Sequence, residues 1–238
     1  MILFDVGGTL FEGGTFRLIE GLSKLRLAAN NPNVTDDEAL ADLWNEYTNE
    51  ISGLKSKSGI NLDMPLSAHI RYITMKTGLK FSISMAEQEE IFDRFNSARK
   101  VINGLSELLD KLNSLSIRTA VISNNAMSGE SLALALKRWI PNERFEFCLT
   151  SADILYAKPY KDIFLTAARY AELDPTECWY CGDSFIPDVK GSYGVGMSPV
   201  LLDSKSDIPL EFRSDNSVDK YMVINSWHEL SEYLNNLK

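Results

Sequence analysis

Residues 1–10 read Met1-Ile2-Leu3-Phe4-Asp5-Val6-Gly7-Gly8-Thr9-Leu10. The opening run is apolar and short, and it ends in a carboxylate followed closely by two glycines. The pattern it starts resumes only near residue 99, where short apolar runs alternate with amphipathic stretches. The runs fall at 119–123, 145–149, 178–181, 199–202 and 222–225. Between them, 105–115, 130–139, 162–171 and 227–237 carry apolar residues at helical spacing. Strands alternating with helices predict parallel βαβ units. The expected fold is therefore α/β, a Rossmann-like parallel sheet with helices on both faces.

The segment between the first strand and the rest of this pattern reads differently. From residue 11 to about residue 100 no strand is expected, and four helices are predicted at 15–29, 36–51, 66–77 and 85–97. Leu40, Leu43, Trp44, Tyr47 and Ile51 share one face of the second. Thr35 with Glu38, and Ser84 with Glu87, have capping-box spacing, and Gly78 is placed to stop the third helix. The domain reading is a core of residues 1–10 and 101–238 interrupted by a helical insert, 11–100. Residues 203–220 are polar, contain Pro209 and read as a surface connection before the last strand.

The chain has 238 residues, room for such a core and insert. No apolar run approaches the roughly 20 residues of a membrane span, and the N-terminus lacks the features of a signal peptide. A cytoplasmic protein is expected. A net charge of −9 argues against nucleic-acid or membrane partners, while a bound cation could still admit an anionic substrate. Of three cysteines, Cys178 and Cys181 have redox-motif spacing. On a strand they would point to opposite faces about 10 Å apart, too far for a disulfide, so two buried thiols are expected.

Ligands of an open parallel sheet collect at the carboxyl ends of its strands. Here those ends lead into Asp5, into Ser123-Asn124-Asn125, into Lys158-Pro159 after a short loop, and into Gly182-Asp183-Ser184. Two nearby carboxylates favour a hard cation such as magnesium, and one can still attack an electrophile. A lysine and a hydroxyl suit the charged oxygens of a transferring phosphoryl group.

These stretches resemble the haloacid dehalogenase superfamily over the whole chain. Phe4 to Leu10 is similar to its first motif, Ile122-Ser123-Asn124 to its second and Lys158-Pro159 to its third. Gly182-Asp183-Ser184-Phe185-Ile186-Pro187-Asp188 is similar to its fourth. The helical insert resembles the family's helical cap of the first type. The resemblance implies that Asp5 is the nucleophile and forms an aspartyl-phosphate, with Ser123 and Lys158 completing the catalytic set. It implies phosphoryl binding by Ser123 and Lys158, with Thr9 and Asn124 also on the substrate side. It implies Mg2+ at Asp5, the Gly7 carbonyl and Asp183, with Asp188 in support, and a small phosphorylated metabolite as substrate.

One position departs from the family pattern. Phosphatases of this kind carry a second aspartate two residues after the nucleophile, where this chain has Gly7. General acid–base help of that type is worth about 10²–10⁴-fold. Glu12 or another cap residue could stand in. Alternatively, the chain could be a haloacid dehalogenase-type hydrolase, or a ligand-binding protein that keeps the fold. Arg71, Lys55 and Lys57 are candidates for contact with an anionic substrate.

Overall fold

The computed structural model describes residues 1–58, 64–96 and 99–236, without the side chains of 54–58 and 95–96. The elements run β1 (Ile2–Phe4), β2 (Phe11–Gly13), α1 (Leu18–Leu27), α2 (Asp37–Ser58), α3 (Leu66–Thr77), α4 (Met85–Asn96) and β3 (Arg99–Val101). They continue with α5 (Leu105–Ser114), β4 (Thr119–Ser123), α6 (Gly129–Trp139), β5 (Phe145–Thr150), α7 (Ser151–Ile154) and α8 (Lys161–Ala171). The chain then forms β6 (Trp179–Gly182), a π-turn over Phe185–Lys190, α9 (Gly191–Tyr193), β7 (Ser198–Leu202), β8 (Leu210–Asp215), β9 (Val218–Ile224) and α10 (Trp227–Asn235).

Seven strands form one sheet in the order β5-β4-β1-β6-β7-β9-β8. Every pairing in it is parallel except that of β8 with β9. Alternation along β1 sends Ile2 and Phe4 to one face, against α5, α6 and α10, and Leu3 to the other, against α8. Phe4 meets Trp227 edge to face at 5.6 Å, fixing the last helix on the sheet beneath the first strand end.

Two expectations about strands need correction. The segment 203–220 is not wholly irregular, because β8 forms a hairpin with β9 at the sheet edge. Leu210 packs on the core, while Glu211 and Arg213 pair with one another. Charges on an outer strand discourage pairing with another chain, and they also hide the strand's pattern from a sequence reading. The insert also has strands: β2 pairs antiparallel with β3, Phe11 opposite Val101 and Gly13 opposite Arg99. The stretches where the insert leaves and rejoins the core thus form a two-stranded tie rather than loose connections.

Among the insert helices, α3 has the bounds expected. Gly78 ends it in the left-handed conformation, φ +77°, donating its N–H to the Thr74 carbonyl. The Ser84–Glu87 capping box forms reciprocally, at 2.8 and 3.2 Å. The other expected box does not form: α2 starts at Asp37, so Asp36 rather than Thr35 caps it, accepting the Ala39 N–H at 2.8 Å. The α2 helix also runs past Gly53 to Ser58, and α1 starts only at Leu18, after Arg17 in a non-helical conformation. Leu22, Leu25, Leu40, Trp44, Ile70, Ile73 and Phe92 form the insert's own core, which Met127 and Ala135 of the sheet domain join. Polar ties add to that contact. Glu89 of α4 accepts the Ser128 N–H at 3.0 Å and its hydroxyl at 2.5 Å, and Glu90 pairs with Arg138.

Candidate active site

β1 lies between β4 and β6, with Phe4 level with both Val121 and Cys181. That register brings Ser123, the last residue of β4, and Asp5 and Asp183, just past the ends of β1 and β6, together at the carboxyl ends of the strands. The chain then turns tightly. Leu10 and Phe11 donate their N–H groups to the Val6 carbonyl, Gly8 donates to Phe11, and Gly8 takes φ +68°. A Cβ at Gly8 would lie 2.0 Å from Asp183 Oδ2, so glycine is what lets the first-strand loop rest against that carboxylate.

Lys158 enters from the loop before α8, and its ammonium is buried. Its Nζ donates to Asp5 Oδ1 at 2.7 Å, Asp188 Oδ1 at 2.7 Å and the Tyr180 hydroxyl at 2.8 Å. An ammonium has three protons, so all three have acceptors here. Tyr180 passes the chain on, donating to the Ile122 carbonyl at 2.9 Å. Burial, followed by the charges of Asp188 and Asp5, pushes the Tyr180 phenol well above its ordinary range, so it remains a donor. Asp188 spends its other oxygen on the Ser184 N–H at 2.9 Å.

Asp5, Asp183 and Asp188 each offer an oxygen within 4.8 Å of the others. Asp183 is the exposed member, and its carboxyl lies above the ordinary range, first because of burial and next because of the Asp5 charge. Burial also raises Asp188, opposed by the Lys158 charge. Acidic oxygens crowded against one positive charge suit a hard divalent cation, and the Asp183 carboxylate cradled against Gly8 is open to one.

Not all candidate residues reach the crevice. Ser123 ends β4, almost wholly buried, and lines a cavity of about 300 Å³ with Gly7, Asn124 and Asn125. The Asn124 side chain, expected to face substrate, pins the backbone of Lys158, donating to its carbonyl at 3.0 Å and accepting its N–H at 2.6 Å, while the residue also lines that cavity. Thr9, also expected to face substrate, is fully buried and its carbonyl accepts the Trp227 indole N–H, so it offers a ligand no surface. Glu12 is exposed and 3.2 Å from Lys100, beside Gly8 and Asp183 around a second cavity of about 460 Å³. Arg71 is exposed on α3, and the side chains of Lys55 and Lys57 lie outside the described residues. Cys178 and Cys181 are free thiols buried in different core clusters, on opposite faces.

The sequence reading passed over Tyr180, whose place in an apolar strand gave no hint that its hydroxyl meets Lys158. Removing that hydroxyl leaves a buried ammonium proton and the Ile122 carbonyl without partners, a cost of about 1–3 kcal/mol. Tyr180→Phe is expected to lower kcat about tenfold with KM little changed, since the lysine is loosened while the cavity is untouched. Steady-state kinetics beside a thermal melt check this; an unchanged kcat would show that Asp5 and Asp188 hold the lysine unaided.

Comparison with known proteins bears on this geometry. The profile of haloacid dehalogenase-like hydrolases matches residues 2–201. The chain belongs to that family. A Xenopus laevis protein named haloacid dehalogenase-like hydrolase domain-containing protein 3 is 30% identical over 131 residues, 54% of this chain and 52% of that protein. The chain thus spans about half the length of that haloacid dehalogenase-like relative. Glyceraldehyde 3-phosphate phosphatase of Methanothermobacter thermautotrophicus is 25% identical over 98% of both chains. A 2-haloacid dehalogenase from Pseudomonas syringae has the same fold, with a TM-score of 0.60 at 21% identity over 100% of this chain and 98% of its own. Among the described residues, no helix is long and apolar enough to cross a membrane.

Proposed function

We propose that this hydrolase is a magnesium-dependent phosphatase of small phosphate monoesters, acting in the cytoplasm through a phosphoryl group carried on Asp5. The observation that carries the reading is the acidic cluster of Asp5, Asp183 and Asp188 with the Lys158 ammonium inside it. A haloalkane needs no cation to be attacked, whereas a phosphoryl group brings charged oxygens that need several positive partners. The similarity to a glyceraldehyde 3-phosphate phosphatase over almost the full length supports the same substrate class.

The Asp5 and Asp183 carboxylates and the Gly7 carbonyl would hold the magnesium ion, which when bound offsets negative charge on Asp5 and on the phosphoryl oxygens. Asp5 attacks phosphorus: the carboxylate–phosphorus bond forms as the ester P–O bond breaks. Ser123 and Lys158 face the phosphoryl oxygens, Lys158 exchanging one of its present acceptors for a phosphoryl oxygen. With Gly7 in place of a carboxylic acid, the leaving oxygen takes its proton from water. Water then releases phosphate and regenerates Asp5. Asn124, Tyr180 and Asp188 keep Lys158 in place throughout.

The reading is tested by assaying the purified protein on an activated aryl phosphate with and without magnesium, beside Asp5→Asn. Such a leaving group asks little of the acid missing at position 7. Release that requires magnesium and vanishes in the variant is the expected result. Release equal to the variant's background would remove the phosphatase reading and turn attention to haloacids.

A further inference from the structure

The cavity beside Ser123 has one feature that the chemistry at Asp5 does not use. It lies between the loop after β4 and the two-stranded tie, and among the described residues that line it Arg99 alone is charged. Arg99 sits on β3 opposite Gly13, where the partner strand has no side chain to cover it. Its Nη1 and Nη2 donate to the two oxygens of Asp93, on α4, at 3.0 and 2.8 Å. This clamp uses two of the five guanidinium N–H donors and holds the planar group in one orientation. Its side chain is 22% exposed and that of Asp93 is 11% exposed. Burial keeps the Asp93 carboxyl above its ordinary range in spite of Arg99 beside it. The guanidinium remains charged in any environment.

Part of the lining of this cavity is bare. A Cβ built at Gly7 meets no atom within 4 Å, and Gly7 lines the same cavity as Arg99 and Ser123. We infer that Arg99 is a specificity residue, and that the substrate is a phosphate monoester bearing a second anionic group, a carboxylate or a further phosphate, on the part that leaves. The inference rests on the phosphatase reading. With the phosphoryl group at Asp5, the rest of the ester extends past Gly7 along this cavity, and its far end meets Arg99. A clamped, partly desolvated guanidinium binds a carboxylate through charge-assisted hydrogen bonds, stronger than neutral ones and already oriented.

Calorimetry on full-length Asp5→Asn in magnesium buffer tests this without turnover. Two probes are compared: 3-phosphoglycerate, which carries a distal carboxylate, and glycerol 3-phosphate, which does not. Expected is about tenfold tighter binding of the carboxylate-bearing ester, a difference of about 1.4 kcal/mol. Adding Arg99→Met erases the preference while binding of glycerol 3-phosphate stays within about twofold; Arg99→Lys keeps part of it. Where Arg99→Met fails to fold because buried Asp93 loses its guanidinium partner, the Asp93→Asn/Arg99→Met pair replaces it. Equal binding of the two esters by Asp5→Asn, no binding of either, or a preference that survives the loss of Arg99 overturns the inference. The aryl phosphate assay involves no distal anion, so the phosphatase reading stands or falls there separately.

Discussion

Gly7→Asp is expected to raise turnover of an alkyl phosphate, such as glycerol 3-phosphate, by about 10²-fold, within the usual range for a positioned acid or base. The backbone at Gly7 lies outside the left-handed region that only glycine adopts easily, and a Cβ there meets nothing within 4 Å. The side chain would project into the crevice beside Asp5, where a carboxylic acid can protonate the leaving oxygen and then draw a proton from the attacking water. For an aryl phosphate, whose leaving group needs no proton, the gain should come only from faster attack of water on the phospho-enzyme. Gly8→Ala is the control: its Cβ would lie 2.0 Å from Asp183 Oδ2, on a backbone with φ +68°, so that change should depress activity. Steady-state kinetics on paired alkyl and aryl substrates reads all three effects. A Gly7→Asp protein that folds and gains nothing on the alkyl ester would mean that another group already does the acid's work.

Lys158→Met is expected to destabilise the protein by about 3–5 kcal/mol, the usual cost of leaving a buried charge unpaired. In a chain of this size that is a fall in Tm of roughly 10 °C. Asp5 and Asp188 both turn an oxygen to Lys158, whose side chain is only 3% exposed. Without the ammonium, two carboxylates face each other and the Tyr180 hydroxyl loses its donor. Asp188 already lies above the ordinary carboxylate range through burial, with Lys158 pulling it down, so the substitution raises it further. An acid whose folded-state pKa is raised adds stability only while protonated and loses it as pH climbs through that pKa. The deficit should therefore be largest at neutral pH and shrink on acidification. Thermal melts against pH, with Asp188→Asn added to relieve the repulsion, test this. A deficit independent of pH, or unaffected by the second change, would place the cost in lost packing instead.

How much of this was legible in the sequence depended on how local each signal was. Asp5, Ser123, Lys158 and Asp183 stood out because each follows an apolar run, and the sheet order then brings them together. The insert helices were read from periodicity and caps, and one error fell where caps competed: Thr35 and Asp36 are adjacent, and only the backbone decides which accepts the Ala39 N–H. The strands β2 and β3 are three residues each, with Gly13, Arg99 and Lys100 among them, too short and polar to register as strands. In β8, alternation was hidden by charges suited to a sheet edge. Asn124 and Tyr180 were the hardest to read. An asparagine after a strand and a tyrosine within one have many possible partners, and it takes the register of β1, β4 and β6 with the Lys158 loop to set both against one lysine. The same is true of Arg99, whose partner Asp93 lies on α4, six residues back in the chain.

The most direct test of the account is to look for the phosphoryl group on Asp5. Full-length protein is mixed with excess aryl phosphate and magnesium, quenched in acid during steady turnover, and measured by intact mass and peptide mapping. With Gly7 in place of the residue that helps water attack, breakdown of the intermediate should be the slow step. The account predicts one phosphoryl group on a large share of the chains, mapped to Asp5, reduced in Gly7→Asp and absent in Asp5→Asn. Steady magnesium-dependent release of phosphate from a protein that never carries a phosphoryl group, or that carries it on Ser123, would contradict it.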